Sequence, residues 1–147
     1  MGLDMYVNAK RYLSEYRDGD NAIMEAVNAA VPSKPGDINT IVTEAAYWRK
    51  ANAIHKWFVD NVQEGKDECV EHYVSREDIR KLLDACSQVL ADHTLAPTLL
   101  PSADGFFFGS TEYSEWYFGD VEKTIAQLEP LLSPDYEGWD FYYHSSW

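Results

Sequence analysis

The sequence is poor in cysteine, in long apolar runs and, past its midpoint, in basic residues. Only Cys69 and Cys86 occur among the 147 residues, and a cytosolic pair of this kind is usually reduced. Cys86 falls on the apolar stripe of a helix-like segment and reads as a small buried hydrophobe. Cys69 with His72 offers two metal ligands, but no second pair at zinc spacing accompanies them, so neither a metal nor another cofactor is expected. No apolar run approaches the ~20 residues that span a bilayer. The opening MGLDMYVNAKRYL has Asp4 where a signal peptide would be apolar. Gly2 has the position of a myristoylation site, yet Tyr6 stands where Ser or Thr is required. These absences point to a cytoplasmic protein without membrane contact.

The shortage of positive charge is local. Residues 1–56 hold seven Lys/Arg against seven Asp/Glu, whereas residues 57–147 hold five against eighteen, so the whole net charge of −13 lies after Lys56. A chain with this balance does not hold a nucleic-acid backbone directly, because that takes clustered cations. The acidic half either keeps the protein soluble or faces a basic partner. Material for a core is plentiful, with 46% hydrophobic and 14% aromatic residues, and the length suits one domain, 1–147.

Alternation over residues 3–8 predicts a short strand. Residues 20–31 predict a helix capped by Asp20, with Ile23, Ala26, Val27 and Ala30 on one face. INTIVTEAAYW (38–48) starts strand-like on its β-branched residues. A helix is expected over roughly 47–63, because Tyr47, Ala51, Ile54, Phe58 and Val62 form one stripe at about 100° per residue. CVEHYV (69–74) predicts a strand. Ser75 then caps the clearest helix, in which Ile79, Leu82, Leu83, Cys86, Val89 and Leu90 share a face and Asp78 holds the capping-box position. GFFFG (105–109) reads as a buried strand, and Ser110 or Thr111 as the cap of a helix to about Leu132, open to a break at Gly119. WDFYYHSSW (139–147) is a terminal strand. The elements alternate, but the strands are short and half of them alternate in polarity. This favours an α+β fold: a small mixed or antiparallel sheet with three to four helices packed on it.

Two groups of residues can carry function. In YWRKANAIHKWF (47–58), Arg49, Asn52, His55 and Lys56 border an apolar stripe and suit a phosphate or carboxylate. Ser110 and Thr111, at an expected helix N-terminus, can add anion-binding N–H groups. The plain alternative is that Arg49 and Lys56 are solvated, His55 is a hydrogen-bonded core histidine, and the two hydroxyls only cap. The second group is aromatic and acidic. Residues 101–147 contain thirteen of the twenty-one aromatics, nine acids and a single Lys. Glu112, Tyr113, Glu115, Trp116, Tyr117 and Asp120 can form a protein-binding surface. No GxSxG, HExxH, GxGxxG or P-loop spacing occurs, no catalytic residue is assigned, and the balance leans away from an enzyme.

The blocks MGLDMYVNAKRYL, YWRKANAIHKWFVDNVQEG, LLPSADGFFFGSTEYSEWYFGDVEKT and FYYHSSW resemble a group of small uncharacterised accessory proteins of tailed phages and prophages. The resemblance covers most of the chain. It implies a protein acting on the infected host cell, in the host cytoplasm, and brings no activity and no catalytic residues. The expected function is therefore non-catalytic: binding and inhibiting a host defence or nucleic-acid-handling protein by occupying a basic surface with the acidic, aromatic one. The alternative is binding or hydrolysis of a nucleotide or other small anion around Arg49, Asn52, His55 and Lys56. A structural or self-associating virion protein, a homo-oligomer, is a third option.

Overall fold

The computed structural model describes residues 2–147. Four strands, β1 (Asp4–Tyr12), β2 (Thr40–Arg49), β3 (His72–Val74) and β4 (Asp140–Ser146), form one sheet in the order β2-β1-β4-β3. Every pairing is antiparallel. The helices are α1 (Asp20–Ala30), α2 (Asn52–Asn61), α3 (Arg76–Ala91), the one-turn α4 (Ala96–Leu99) and α5 (Glu115–Leu128). The fold is thus α+β with an antiparallel sheet. No helix among the described residues is long and apolar enough to cross a membrane.

The period-2 pattern of the strands decides which sheet face is covered. Met5, Val7 and Ala9 of β1, Ala46 and Trp48 of β2, and Phe141 and Tyr143 of β4 are all buried, while their neighbours are at least partly open. The covered face meets α2, α3 and α5 in one apolar cluster that includes Ile54, Phe58, Leu82, Cys86, Val121 and Leu128. Leu83, expected at full depth, is only partly buried against this cluster. Trp48 ties sheet to helix, its Nε1 donating to Thr124 Oγ1 at 2.9 Å. Burying an indole requires such a partner.

Several boundaries differ from those expected. The stripe expected of a helix from residue 47 is split. Residues 47–49 complete β2, pairing through Tyr6↔Tyr47, Met5↔Trp48 and Asp4↔Arg49, and α2 starts only at Asn52. β2 is an edge strand: β1 takes the backbone groups on one side, and Tyr47 N–H on the other donates to Gln127 Oε1 at 3.0 Å, which together outweigh a helical spacing of side chains. β3 is three residues rather than six. GFFFG is a turn, not a strand: Phe108 N–H donates back to Gly105 O at 3.0 Å, and Leu3 N–H donates to Phe107 O at 3.1 Å. α5 begins at Glu115 with Ser114 as N-cap, so neither Ser110 nor Thr111 caps it, and it passes Gly119 unbroken. The capping box of α3 is present as the sequence indicates, with Ser75 Oγ accepting from Asp78 N–H at 3.0 Å and Asp78 accepting from Ser75 N–H.

α1 stands apart from this core. Of its residues only Asp20 is buried; Ile23 and Val27 are half-buried, and Ala26 and Ala30 are exposed. Asp20 accepts from Arg11 at 2.6 Å and from Ser14 N–H at 2.9 Å, which holds the excursion between β1 and β2 to the sheet end.

Candidate functional site

The site grows from the junction of β2 and α2. Lys50 follows the last residue of β2 and adopts a left-handed backbone, φ 59°. Its N–H donates to Leu3 O at 2.7 Å, and its carbonyl accepts from Asn52 N–H at 2.9 Å. This turns the chain sharply into α2. The first turn of α2 has no side-chain cap, and the N–H groups of Ala53 and Ile54 have no hydrogen-bond partner among the described residues. Unpaired N–H groups at a helix start carry partial positive charge.

Asn52 organises the opposite wall. Its Nδ2 donates to Phe108 O at 3.0 Å and to Ser110 O at 2.8 Å, and its Oδ1 accepts from Ala103 N–H at 3.0 Å. The loop before α5 is thereby fixed over the start of α2. Gly109, at φ 86°, lies against the Lys50 stem. A Cβ there would sit 3.3 Å from Lys50 Cβ, so both its conformation and its contact suit glycine.

Between these parts lies a cleft of about 540 Å³. Arg49, Lys50 and the first turn of α2 form one wall; Gly109, Ser110, Glu112 and the first two turns of α5, with Glu115, Trp116, Tyr117 and Asp120, form the other. Among the described residues Lys10, Arg11, Arg17, Lys56 and Arg80 each have a carboxylate within 4 Å, whereas Lys34, Lys66, Arg76, Lys81 and Lys123 do not. Within the cleft, neither Arg49 nor Lys50 forms an ion pair with Glu112, Glu115 or Asp120 among the described residues. Burial pushes the Asp120 carboxyl up to about 6, against a pull downward from Lys123. Tyr117 is buried, donates to Leu100 O at 2.8 Å, and has its hydroxyl raised by burial. Trp116 is 79% exposed at the rim.

The two expected groups are therefore regrouped. Arg49, Asn52 and Ser110 share the cleft with Glu112, Glu115, Trp116, Tyr117 and Asp120. Ser110 spends its hydroxyl accepting from Glu112 N–H at 3.1 Å. Thr111 and Tyr113 do not line the cleft; Tyr113 packs edge-on against Tyr117, with ring centroids 4.9 Å apart. Lys56 lies outside it, paired with Asp60 at 2.8 Å. His55 is in the core. Its Nε2 lies 3.1 Å from both oxygens of Asp67, and its Nδ1 is hydrogen-bonded to the Tyr143 hydroxyl at 2.7 Å. Trp147 Nε1 donates to the same Asp67 at 3.1 Å. This Asp–His–Tyr chain has the parts of a proton relay, but it ends on a tyrosine with no exposed surface, so no substrate atom can reach it. Lys50 and the first-turn N–H groups of α2 carry no signal of their own in the sequence, where the apolar stripe from residue 47 reads as continuous helix and hides the turn.

A second cavity, of about 420 Å³, lies between the middle of β2 and the turn after α5 and is lined mainly by Ala9, Ala45, Ala126, Pro130, Leu131 and Trp139. No three His, Cys, Asp or Glu side chains come together as metal ligands among the described residues. The chain matches no family model, no curated protein and no solved structure.

Proposed function

We propose that this chain is a non-catalytic binding protein that receives a basic segment of another protein in the cleft between α2 and α5. The observation that carries the reading is Trp116, exposed on the rim of a cleft that also presents Glu112, Glu115 and Asp120. A large ring left in water at the edge of a concave acidic site suits anchoring by aromatic contact and by cation–π attraction. The −13 charge concentrated in the same half of the chain favours fast, steered encounter with a basic surface. The resemblance to small tailed-phage accessory proteins gives this a setting: a protein of the host cytoplasm that occupies a basic site on a host defence or nucleic-acid-handling enzyme and inhibits it. The geometry favours this over nucleotide binding, since three carboxylates in the cleft repel a polyanion, and Asn52, His55 and Lys56 are engaged within the chain.

The test is binding kinetics of the full chain with a Lys/Arg-rich peptide. Association should slow steeply from low to physiological salt, because steering is screened beyond about 8 Å there. Glu112→Gln with Glu115→Gln should lower the association rate, and Trp116→Ala should raise the dissociation rate. Wild-type kinetics in Trp116→Ala would refute the site.

A further inference from the structure

We infer that the chain pairs with a second copy of itself along the open part of β2, Thr40 against Glu44 about a two-fold axis at Val42, giving one continuous sheet. This surface is separate from the cleft and from the basic partner proposed for it. An edge strand presents unpaired N–H and C=O groups to any strand that reaches them. Of the two edge strands, β3 is only three residues long, the short form that does not template a partner. β2 is ten residues long and is covered toward one end, where Tyr47 N–H donates to Gln127 Oε1. Toward the other end, Leu13 N–H donates to Asn39 O at 2.7 Å, and Arg11↔Ile41 and Ala9↔Thr43 continue the register. Antiparallel pairing turns the backbone groups of alternate residues toward and away from the neighbour. Thr40 and Val42 therefore point theirs outward, and neither has another backbone partner among the described residues. Thr40, Val42 and Glu44 are exposed, and no Pro or Lys guards the segment.

A second copy is the strand that fits this edge. A two-fold axis at Val42 sets Val42 against Val42, Ile41 against Thr43 and Thr40 against Glu44. The single charge of the segment then never meets its own kind, and β-branched side chains face one another. Residues 1–56, which carry the edge, have no net charge, so the approach of the two strands is not opposed by their own half of the chain. Ile41 also gains a place. It shares the helix-covered face with Thr43 and Ala9. On that face the cavity of about 420 Å³, lined by Thr43, Ala45, Ala126, Leu131 and Trp139, lies beside the edge. Ile41 of the second copy, directly opposite Thr43, stands at this cavity, and the symmetry repeats the contact. The pairing is short and belongs with interfaces under roughly 1,200 Å², which form and dissolve readily.

Sedimentation equilibrium of the full chain over a range of concentrations tests this. The wild type should move from monomer toward dimer as concentration rises. It should do so more readily at physiological than at low salt, because the −13 charge on each copy is then screened. Val42→Lys and Val42→Glu each set like charges across the axis, at a position already exposed, and each should weaken the dimer roughly ten-fold or more. An equimolar mixture of the two variants should recover the dimer, because Lys then faces Glu; that recovery also shows that both variants fold. Val42→Pro removes the outward N–H without taking a bond from β1 and should dissociate the dimer as well. A wild type that stays monomeric throughout overturns the inference and leaves the edge to a strand of another protein. A dimer that survives Val42→Lys, or that dissolves as salt rises, overturns it too, since the contact then lies elsewhere. A mixture without recovery overturns the pairing about Val42. None of these outcomes bears on capture of a basic peptide in the cleft, which has its own kinetic readout.

Discussion

Asn52 is joined to Ser110 through the backbone: its Nδ2 donates to the Ser110 carbonyl at 2.8 Å. With its bonds to Phe108 O and Ala103 N–H, the buried amide uses three of its hydrogen-bonding positions to fix the loop that forms one side of the cleft. Asn52→Ala should lower stability by about 1–3 kcal/mol in urea denaturation, the cost of buried polar groups left short of partners. Asn52→Asp should carry a pH signature. An ionised carboxylate would face two carbonyl oxygens, so its folded-state pKa is raised. Stability of that variant should then fall as pH rises, and approach wild type only in acid. A pH-independent difference would show that the amide does not face those carbonyls.

The bond between His55 Nδ1 and the Tyr143 hydroxyl is buried on both sides. Tyr143→Phe keeps the ring that stacks on Phe58, 3.9 Å between centroids, and leaves a ring nitrogen without a partner. The expected loss is about 1–3 kcal/mol. Adding His55→Phe removes the orphaned group, so the double variant should lose less than the two single losses combined. Additive losses would mean that the pair is not coupled.

Strands β1 and β4 and helix α3 were legible because each is encoded by one unambiguous signal. Alternation in β1 and β4 places Met5, Val7, Phe141 and Tyr143 inward, and Ser75 with Asp78 forms a local cap that needs no tertiary partner. The site was legible only in pieces. Tyr47, Ala51, Ile54 and Phe58 are compatible with a helical stripe, and only pairing with the distant β1, Tyr6↔Tyr47 and Met5↔Trp48, makes Tyr47 and Trp48 strand. That long-range pairing also creates the turn at Lys50. Reading GFFFG as a strand failed for a related reason. Its carbonyls are taken by Leu3 and Asn52, partners far off in sequence, and not by a neighbouring strand.

Asp120 should make stability depend on pH. Its folded-state pKa, near 6, lies above the ordinary 3.8, chiefly through burial. Between these values the native state holds more protons than the unfolded chain, so stability falls as pH rises through that window and stays at the lower level above it. Asp120→Asn should remove this slope and stabilise the protein at neutral pH, by on the order of 1–2 kcal/mol. The gain should vanish in acid. The same change should weaken capture of a cationic peptide, a trade of function for stability common at binding sites. Chemical denaturation across pH measures the first effect and calorimetry the second.

Lys50 supplies the last test, since it combines a strained backbone with a charge on the cleft. Its φ of 59° brings Cβ close to the following carbonyl, at a cost of about 1–2 kcal/mol for a residue with a side chain. Glycine escapes that cost, although it loses more entropy on folding. Lys50→Ala keeps the strain and discards both the ammonium and most of the stem that lies against Gly109. Lys50→Gly discards the same groups but also relieves the backbone. The Gly variant should therefore be more stable than the Ala variant, by about 1 kcal/mol. Melting curves rank the two variants. An Ala variant more stable than the Gly variant would show that residue 50 is not left-handed in solution, and the wall built on that turn would have to be redrawn.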